Sequence, residues 1–123
     1  MNNIQFIIIG VGSVGKRHAQ FINTQGSDLL CVDISKNARD WCKNNLNIKT
    51  KSFSKVSSLS NHIKDSKKKK IGIISNLGPD HFKSIEELYS LGVNNFLIEK
   101  PITNSLKSLH KLENLCNSNK LNI

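Results

Sequence analysis

Residues 4–15 read Ile4-Gln5-Phe6-Ile7-Ile8-Ile9-Gly10-Val11-Gly12-Ser13-Val14-Gly15, an apolar run that meets a glycine-rich segment. Five of the first six residues are apolar, and three of them are consecutive isoleucines. A strand of this composition is buried on both faces, which is typical of a parallel sheet that helices cover on each side. The stretch therefore predicts a buried parallel strand followed at once by a tight turn.

The three glycines of this turn have the spacing G-x-G-x-x-G, and each position has a steric reason to lack a side chain. Gly10 permits the tight turn, Gly12 lets a pyrophosphate approach the backbone, and Gly15 lets the next helix lie close to the strand. The first N–H groups of that helix would then face the phosphates. Taken alone, the same spacing also fits a purely structural strand-to-helix turn.

The residues that follow favour the dinucleotide interpretation. Val14, His18, Phe21 and Ile22 recur at helical spacing, and a second strand over residues 28–33 ends in Asp33, 18 residues after Gly15. An acid at this position accepts hydrogen bonds from the adenosine ribose and repels a 2′-phosphate. The sequence therefore predicts NAD, with NADP possible because Lys36 lies close behind.

The rest of the chain continues the alternation of strands and helices. We expect helical segments at residues 37–45, around Val56, Leu59 and Ile63, from Pro79 to the stop at Gly92, and at residues 105–117; strands are expected at residues 48–53, 71–75 and 95–98. In the third of these helical segments, Phe82, Ile85, Leu88 and Tyr89 form the apolar stripe, and in the last it is Leu106, Leu109, Leu112 and Leu115 or Cys116. This order predicts an α/β fold with a doubly wound parallel sheet, the three-layer α/β/α Rossmann dinucleotide-binding fold.

The length of the chain and its last residues indicate its domain organisation. From the length of 123 residues we expect one domain, an NAD(P)-binding Rossmann domain at residues 1–123. Residues 121–123 look like the start of one more strand, so we expect the chain to be a fragment or an isolated domain. The first residues do not resemble a secretory signal, and no stretch approaches the ~20 apolar residues that cross a bilayer, so we expect a cytoplasmic protein.

The formal charge of +9 makes a nucleic-acid partner worth testing. The densest basic run, Lys67 to Lys70, precedes a strand, whereas ligands of open parallel sheets bind beyond the carboxyl ends of the strands. We interpret the run as a solvated strand start and predict no nucleic-acid partner. The three cysteines have no C-x-x-C spacing, so they suggest neither a disulfide framework nor a metal site, and Cys31 is expected in the core.

Three motifs together resemble the Gfo/Idh/MocA family of NAD(P)-dependent oxidoreductases, the group of glucose-fructose oxidoreductase and inositol dehydrogenase. They are residues 10–18, similar to G-x-G-x-x-G-x-x-H; residues 75–81, similar to a post-strand loop that ends in a histidine; and Glu99-Lys100-Pro101 at the end of a strand. The second loop departs from the family's Thr-Pro-Asn, because Asn76 and Leu77 stand where threonine and proline are usual. The resemblance covers only the N-terminal half of such enzymes and implies that the substrate and catalytic domain lies outside this chain.

The resemblance also implies residue roles. Glu99 would bind the nicotinamide ribose, and Lys100 would lie beside the nicotinamide as the catalytic residue that contacts cofactor and substrate. A cation held there could polarise the hydroxyl or carbonyl whose carbon exchanges hydride. Including the motif and loop residues, the expected cofactor-binding set is Gly10, Val11, Gly12, Ser13, Val14, Gly15, Asp33, Ser75, Asn76, Leu77, His81, Glu99 and Lys100. His81 is expected to face the ligand edge, and His18 to be packed and hydrogen-bonded on the inner stripe of the first helix.

The main hypothesis is therefore the nicotinamide-dinucleotide-binding domain of an oxidoreductase that acts on a secondary alcohol of a sugar, sugar nucleotide or cyclitol. We expect the isolated chain to be inactive, and a homo-oligomer is possible. The alternative is a Rossmann module that senses a nucleotide without catalysis, which a role of Lys100 in turnover would exclude.

Overall fold

The computed structural model describes residues 3–63, 67–118 and 120–123. Its five strands are β1 (Ile4–Ile9), β2 (Asp28–Val32), β3 (Lys51–Phe53), β4 (Lys69–Ile74) and β5 (Asn95–Ile98). Its α-helices are α1 (Ser13–Thr24), α2 (Lys36–Asn45), α3 (His81–Ser90) and α4 (Leu106–Asn117), with single 3-10 turns at Val56–Leu59 and Gly78–Asp80. The strands form one parallel sheet in the order β3-β2-β1-β4-β5, which confirms the predicted doubly wound α/β fold.

Two separate apolar cores cover the two faces of the sheet. On one face Ile8, Cys31 and Ile73 pack against α1 and α2. On the other, Ile7, Ile9 and other strand residues pack against the 3-10 turn at Val56–Leu59, α3 and α4. This division produces the three predicted layers, and it explains why β1 needs apolar residues on both of its faces.

The final residues extend the sheet beyond β5. Asn122 forms a parallel bridge with Asn95, and its carbonyl accepts a hydrogen bond from the Phe96 N–H at 2.8 Å. Leu121 is buried in the same core as Leu112 of α4. The predicted start of a further strand at residues 121–123 thus corresponds to this bridge.

The predicted apolar stripe of α1 is wrong at two positions. Val14 and Phe21 are 40% and 66% exposed, whereas Gly15, Ala19 and Ile22 are buried. The helix turns its small residues to the sheet because Gly15 lies directly against the Gly10 carbonyl, and Ala19 and Ile22 follow on the same side. Close approach of the glycine motif therefore decides which face of the helix is inside.

Two further predicted elements are shorter than expected. The strand expected at 48–53 is only β3, and Ile48 is 97% exposed. Around Val56, Leu59 and Ile63 there is one 3-10 turn, although all three side chains are buried as predicted. Serines are frequent in this segment, at positions 54, 57, 58 and 60, and serine hydroxyls compete with helical backbone hydrogen bonds.

The last helix begins one residue later than predicted, because Ser105 is its N-cap, and it packs on the core through its second half. Leu112 is 4% exposed, whereas Leu106 and Leu109 are 73% and 36% exposed, which corrects the prediction for those two leucines. None of the described helices is both long enough and apolar enough to span a membrane.

Candidate functional site

The carboxyl ends of the strands are level with one another. The register pairs Ile9 with both Val32 and Ile74, Val32 with Phe53, and Ile74 with Ile98. The next residue along the chain after β1, β2, β4 and β5 is Gly10, Asp33, Ser75 and Glu99, respectively. Each of these four residues donates its backbone N–H to the neighbouring strand at 2.8 to 3.0 Å, so the ladder continues into the site. One sheet edge thus brings together residues from all three motifs.

Gly10 and Gly15 are required by the local geometry. Gly10 has φ +91°, and a Cβ there would lie 2.5 Å from the Asn76 Cα. A Cβ on Gly15 would overlap the Gly10 carbonyl oxygen and lie 3.0 Å from Ser75 Oγ. These two glycines therefore let β1, α1 and the end of β4 approach one another, as the motif predicts.

Gly12 differs because the fold itself does not require a glycine there. It is the N-cap of α1 with φ −83°, a value that any residue adopts, and a Cβ would meet no atom within 4 Å apart from its chain neighbours. No side chain among the described residues caps α1, and its first turn holds no acid. The space above Gly12 and the uncapped N–H groups of Ser13, Val14 and Gly15 fit a diphosphate.

Asp33 is tied to the glycine loop by its own carboxylate. Oδ2 accepts a hydrogen bond from the Val11 N–H at 2.7 Å, and Oδ1 accepts one from the Ser35 N–H at 2.8 Å. Both donors are backbone groups, so the side chain is fixed in orientation while each oxygen keeps a free lone pair. A ribose with two adjacent hydroxyls could donate to this carboxylate.

Two basic side chains lie close behind Asp33. Arg39 Nη1 donates to the carbonyls of Asp33 and Ile34, both at 2.8 Å, and this support was not predicted from the sequence. Lys36 forms an exposed ion pair with Asp40 at 2.9 Å. The pairing with Asp40 reduces the attraction that Lys36 could offer to a 2′-phosphate.

The loop after β4 is held mainly by hydrogen bonds within the protein. Ser75 Oγ donates to the Gly10 carbonyl at 2.6 Å, and Asn76 Nδ2 donates to Ser84 Oγ at 2.9 Å. Leu77 is 74% exposed at the tip of the loop. Ser75 and Asn76 thus link the glycine turn to α3.

His81 does not face the ligand edge as predicted. Its side chain is 1% exposed, and Nε2 donates to the Asn76 carbonyl at 2.8 Å, because a carbonyl can only accept. Pro79 and Asp80 form a 3-10 turn that places His81 at the first position of α3, where its ring turns under the loop. In this conformation His81 can act on a ligand only by holding Asn76.

The Glu99-Lys100-Pro101 segment touches both other motifs. Its proline, which follows a cis peptide bond, lies against Gly78, where an added Cβ would be 2.8 Å from Pro101 Cγ. Glu99 Oε1 accepts a hydrogen bond from His18 Nε2 at 2.8 Å. Lys100 is exposed and has no ion-pair partner among the described residues.

The pairing of His18 with Glu99 was not predicted, although a hydrogen bond of His18 was expected. The two residues are 81 positions apart, so no local spacing relates them. The sequence indicated their proximity only indirectly: His18 and Glu99 each belong to a motif of the resemblance, and both motifs were expected at the same edge of the sheet.

The basic run lies at the opposite edge, as predicted. Lys69 and Lys70 are the first two residues of β4, so the strand begins two residues earlier than expected. Two surface cavities at this amino edge share Lys68 in their lining, and neither is lined by an aromatic side chain or by a predicted cofactor-binding residue. The described part of the chain contains no group of three or more side chains suited to a metal ion.

The cysteines of β2 and α2 form a buried contact on the α1 and α2 face. Hydrogen bonding to Cys42, together with burial, raises the pKa of the Cys31 thiol, and Cys31 is fully buried. The same hydrogen bond lowers the pKa of Cys42. Cys31 is therefore a core residue, as predicted.

Comparisons with known proteins agree with this arrangement. The family described as "Oxidoreductase family, NAD-binding Rossmann fold", Gfo/Idh/MocA, matches residues 4–123. No curated protein sequence gives a significant match.

Solved structures of similar fold include several dehydrogenases. Myo-inositol 2-dehydrogenase from Lactobacillus plantarum superimposes with a TM-score of 0.75 at 22% identity, over 96% of this chain and 34% of that one. For the WlbA (WbpB) dehydrogenase from Thermus thermophilus, in complex with NAD and UDP-GlcNAcA, the TM-score is 0.76 at 19% identity, and the match covers 98% of this chain and 40% of that one. Scyllo-inositol dehydrogenase from Lactobacillus casei, with bound NAD(H) and scyllo-inositol, gives a TM-score of 0.73 at 21% identity, and the match covers 98% of this chain and 35% of that one. This chain thus spans only about a third to two fifths of the length of these structures.

Proposed function

This chain belongs to the Gfo/Idh/MocA oxidoreductase family with its NAD-binding Rossmann fold, and we propose that it is the cofactor-binding part of a dehydrogenase acting on a sugar, sugar nucleotide or cyclitol. In this proposal NAD lies across the carboxyl edge of the sheet, with its diphosphate over Gly12 and its adenosine ribose on Asp33. The substrate class is supported by the resemblance and by similar structures, two named as inositol dehydrogenases and one in complex with a nucleotide sugar.

The observation that carries this proposal is the open space at Gly12. A purely structural turn would explain Gly10 and Gly15, which are packed against the chain. At Gly12, the N-cap of α1, a side chain would meet nothing, and Ser, Asn or Asp there would cap the helix better than glycine, so the turn itself gives no reason to prefer a glycine. A ligand that approaches the backbone gives such a reason. The hydrogen bond from the Val11 N–H keeps the Asp33 carboxylate beside this space, which supports its proposed role as the ribose acceptor.

In this proposal, different residues of the carboxyl edge bind different parts of NAD. The first turn of α1 would hold the diphosphate, Asp33 would hold the adenosine ribose, and Glu99 and Lys100 would hold the nicotinamide half. NAD supplies hydride-transfer chemistry when bound. The exposed ammonium of Lys100 would polarise the substrate oxygen once substrate and further protein surface exclude water from it.

Calorimetric titration of the chain with NADH, and separately with NADPH, tests this proposal. We expect NADH to bind more tightly, because the Asp33 carboxylate repels a 2′-phosphate. Asp33→Asn keeps the shape of the side chain but removes its charge, and it should reduce the preference for NADH roughly 10-fold or more, the equivalent of about 1.4 kcal/mol. Asp28→Asn, at the other end of β2, is the matched control and should leave both affinities unchanged.

Two outcomes would contradict the proposal. Absence of NADH binding would refute the cofactor site in this chain, and an equal effect of the Asp28 and Asp33 variants would refute the assignment of Asp33. A cytoplasmic location and homo-oligomer formation remain predictions from the sequence.

A further inference from the structure

A side-chain contact connects the helix of the glycine motif to the end of β5. His18 Nε2 lies 2.8 Å from Glu99 Oε1, and the two side chains are 27% and 37% exposed. A carboxylate only accepts hydrogen bonds, so Nε2 is the donor. Because the acceptor is charged and the pair is partly shielded from water, this bond is of the stronger, charge-assisted kind.

The strand order decides which part of a dinucleotide would lie near this contact. In the proposed function, Asp33 at the end of β2 holds the adenosine ribose, and the diphosphate lies at the end of β1, the strand that pairs with β2. The sheet continues on the other side of β1 with β4 and then β5. A dinucleotide that crosses β1 must therefore extend its second ribose over β4 and β5, where Glu99 lies.

We propose that His18 is a positioning residue for this second ribose. By donating to Oε1, it restricts a carboxylate that would otherwise sample several rotamers, and Oε2, which has no partner among the described residues, is left to accept from a ribose hydroxyl. His18 acts through Glu99 and also joins α1, which holds the diphosphate, to the residue that holds the second ribose. This inference rests on the proposed function.

Loss of the donor should weaken only ligands that contain the second ribose. Fixing one carboxylate before binding corresponds to roughly 3- to 10-fold in affinity, from the cost of immobilising a flexible side chain. The three probes are NADH, ADP-ribose and ADP, because ADP contains the adenosine and the diphosphate but lacks the second ribose. A change confined to NADH and ADP-ribose would locate the effect at Glu99.

The experiment is calorimetric titration of the wild-type chain and of His18→Leu with the three probes. We expect His18→Leu to weaken NADH and ADP-ribose roughly 3- to 10-fold and to leave ADP unchanged. His18→Gln provides an amide N–H without an imidazole and should restore most of the affinity. Introducing His18→Leu into a Glu99→Gln background should cause much less further loss than it causes alone.

The possible failures can be told apart. If wild type binds all three probes and His18→Leu binds them equally well, or weakens all three equally, the positioning role is refuted and the proposed function stands. If wild type binds none of the probes, the proposed function fails and this inference fails with it. Should His18→Leu not fold, as judged by thermal unfolding, the Glu99→Gln and His18→Gln chains decide the matter. Glu99→Gln must weaken ADP-ribose selectively, and equal effects on ADP would overturn the inference.

Discussion

Replacing Gly12 by alanine should separate binding from folding. The added methyl group meets no other part of the protein, and φ −83° is accessible to alanine, so the backbone need not move. Alanine is a poorer N-cap than glycine, which costs at most about 1 kcal/mol of the free energy of unfolding. The same methyl group would occupy the space that we assign to the diphosphate.

The expected loss of affinity follows from the hydrogen bonds at risk. A phosphate pushed away from the α1 N-terminus would lose one charge-assisted hydrogen bond from a backbone N–H, worth about 1.5–3 kcal/mol. This loss corresponds to roughly a 10- to 100-fold increase in the Kd for NADH. ADP should be affected to the same extent, because it carries the same diphosphate.

Gly10→Ala is the matched comparison. It forces a side chain into a left-handed conformation, which costs about 1–2 kcal/mol, and it places a Cβ against the Asn76 backbone, where overpacking costs about 1–3 kcal/mol. Calorimetry with NADH and urea unfolding should therefore show a stable Gly12→Ala chain that binds weakly and a clearly destabilised Gly10→Ala chain. Unchanged NADH affinity in Gly12→Ala would refute our location of the diphosphate, and destabilisation as large as in Gly10→Ala would show that Gly12 is structural.

Three further substitutions test the core and the Glu99-Lys100-Pro101 segment. Leu88 of α3 is fully buried, so Leu88→Ala should lower the free energy of unfolding by about 2–5 kcal/mol. Leu106 is 73% exposed, so Leu106→Ala is the control and should change the free energy of unfolding by less than about 0.5 kcal/mol. Similar midpoints of urea unfolding for the two variants would contradict the packing described. Lys100→Ala should leave thermal stability and ADP affinity unchanged, because the ammonium is exposed and has no ion-pair partner among the described residues. The same substitution should weaken the binding of NADH. Equal weakening of ADP and NADH binding in calorimetry would contradict a position of Lys100 beside the nicotinamide.

The sequence predicted the sheet and the residues that meet at its carboxyl edge, because both depend on local patterns. Ile7, Ile8 and Ile9 can be accommodated only in a strand with two covered faces, and in a parallel sheet the residues after such strands meet at one edge. The predicted positions of Gly10, Asp33 and Glu99 follow directly. The apolar stripe of α3 was equally predictable, since Ile85 and Leu88 lie in a regular helix that packs along its whole length.

The remaining features depend on contacts between distant parts of the chain. Phe21 had the right spacing for the core of α1, but contact of Gly15 with Gly10 rotates the helix so that Ala19 is buried instead. His81 was expected at the ligand edge because it starts a helix there, yet its ring turns inward to the Asn76 carbonyl. Pairwise contacts of this kind leave no periodicity in the sequence.

The most direct test of the cofactor site is to follow the backbone amide resonances of the chain during titration with NADH. We expect the largest shifts at Gly12, Ser13 and Val14, with further shifts at Asp33 and Glu99, because all of these residues lie at the carboxyl edge of the sheet. Little change should occur at Lys69 and Lys70, at the amino edge. Shifts concentrated at those lysines, or no shifts at saturating NADH, would contradict a dinucleotide site at the glycine motif.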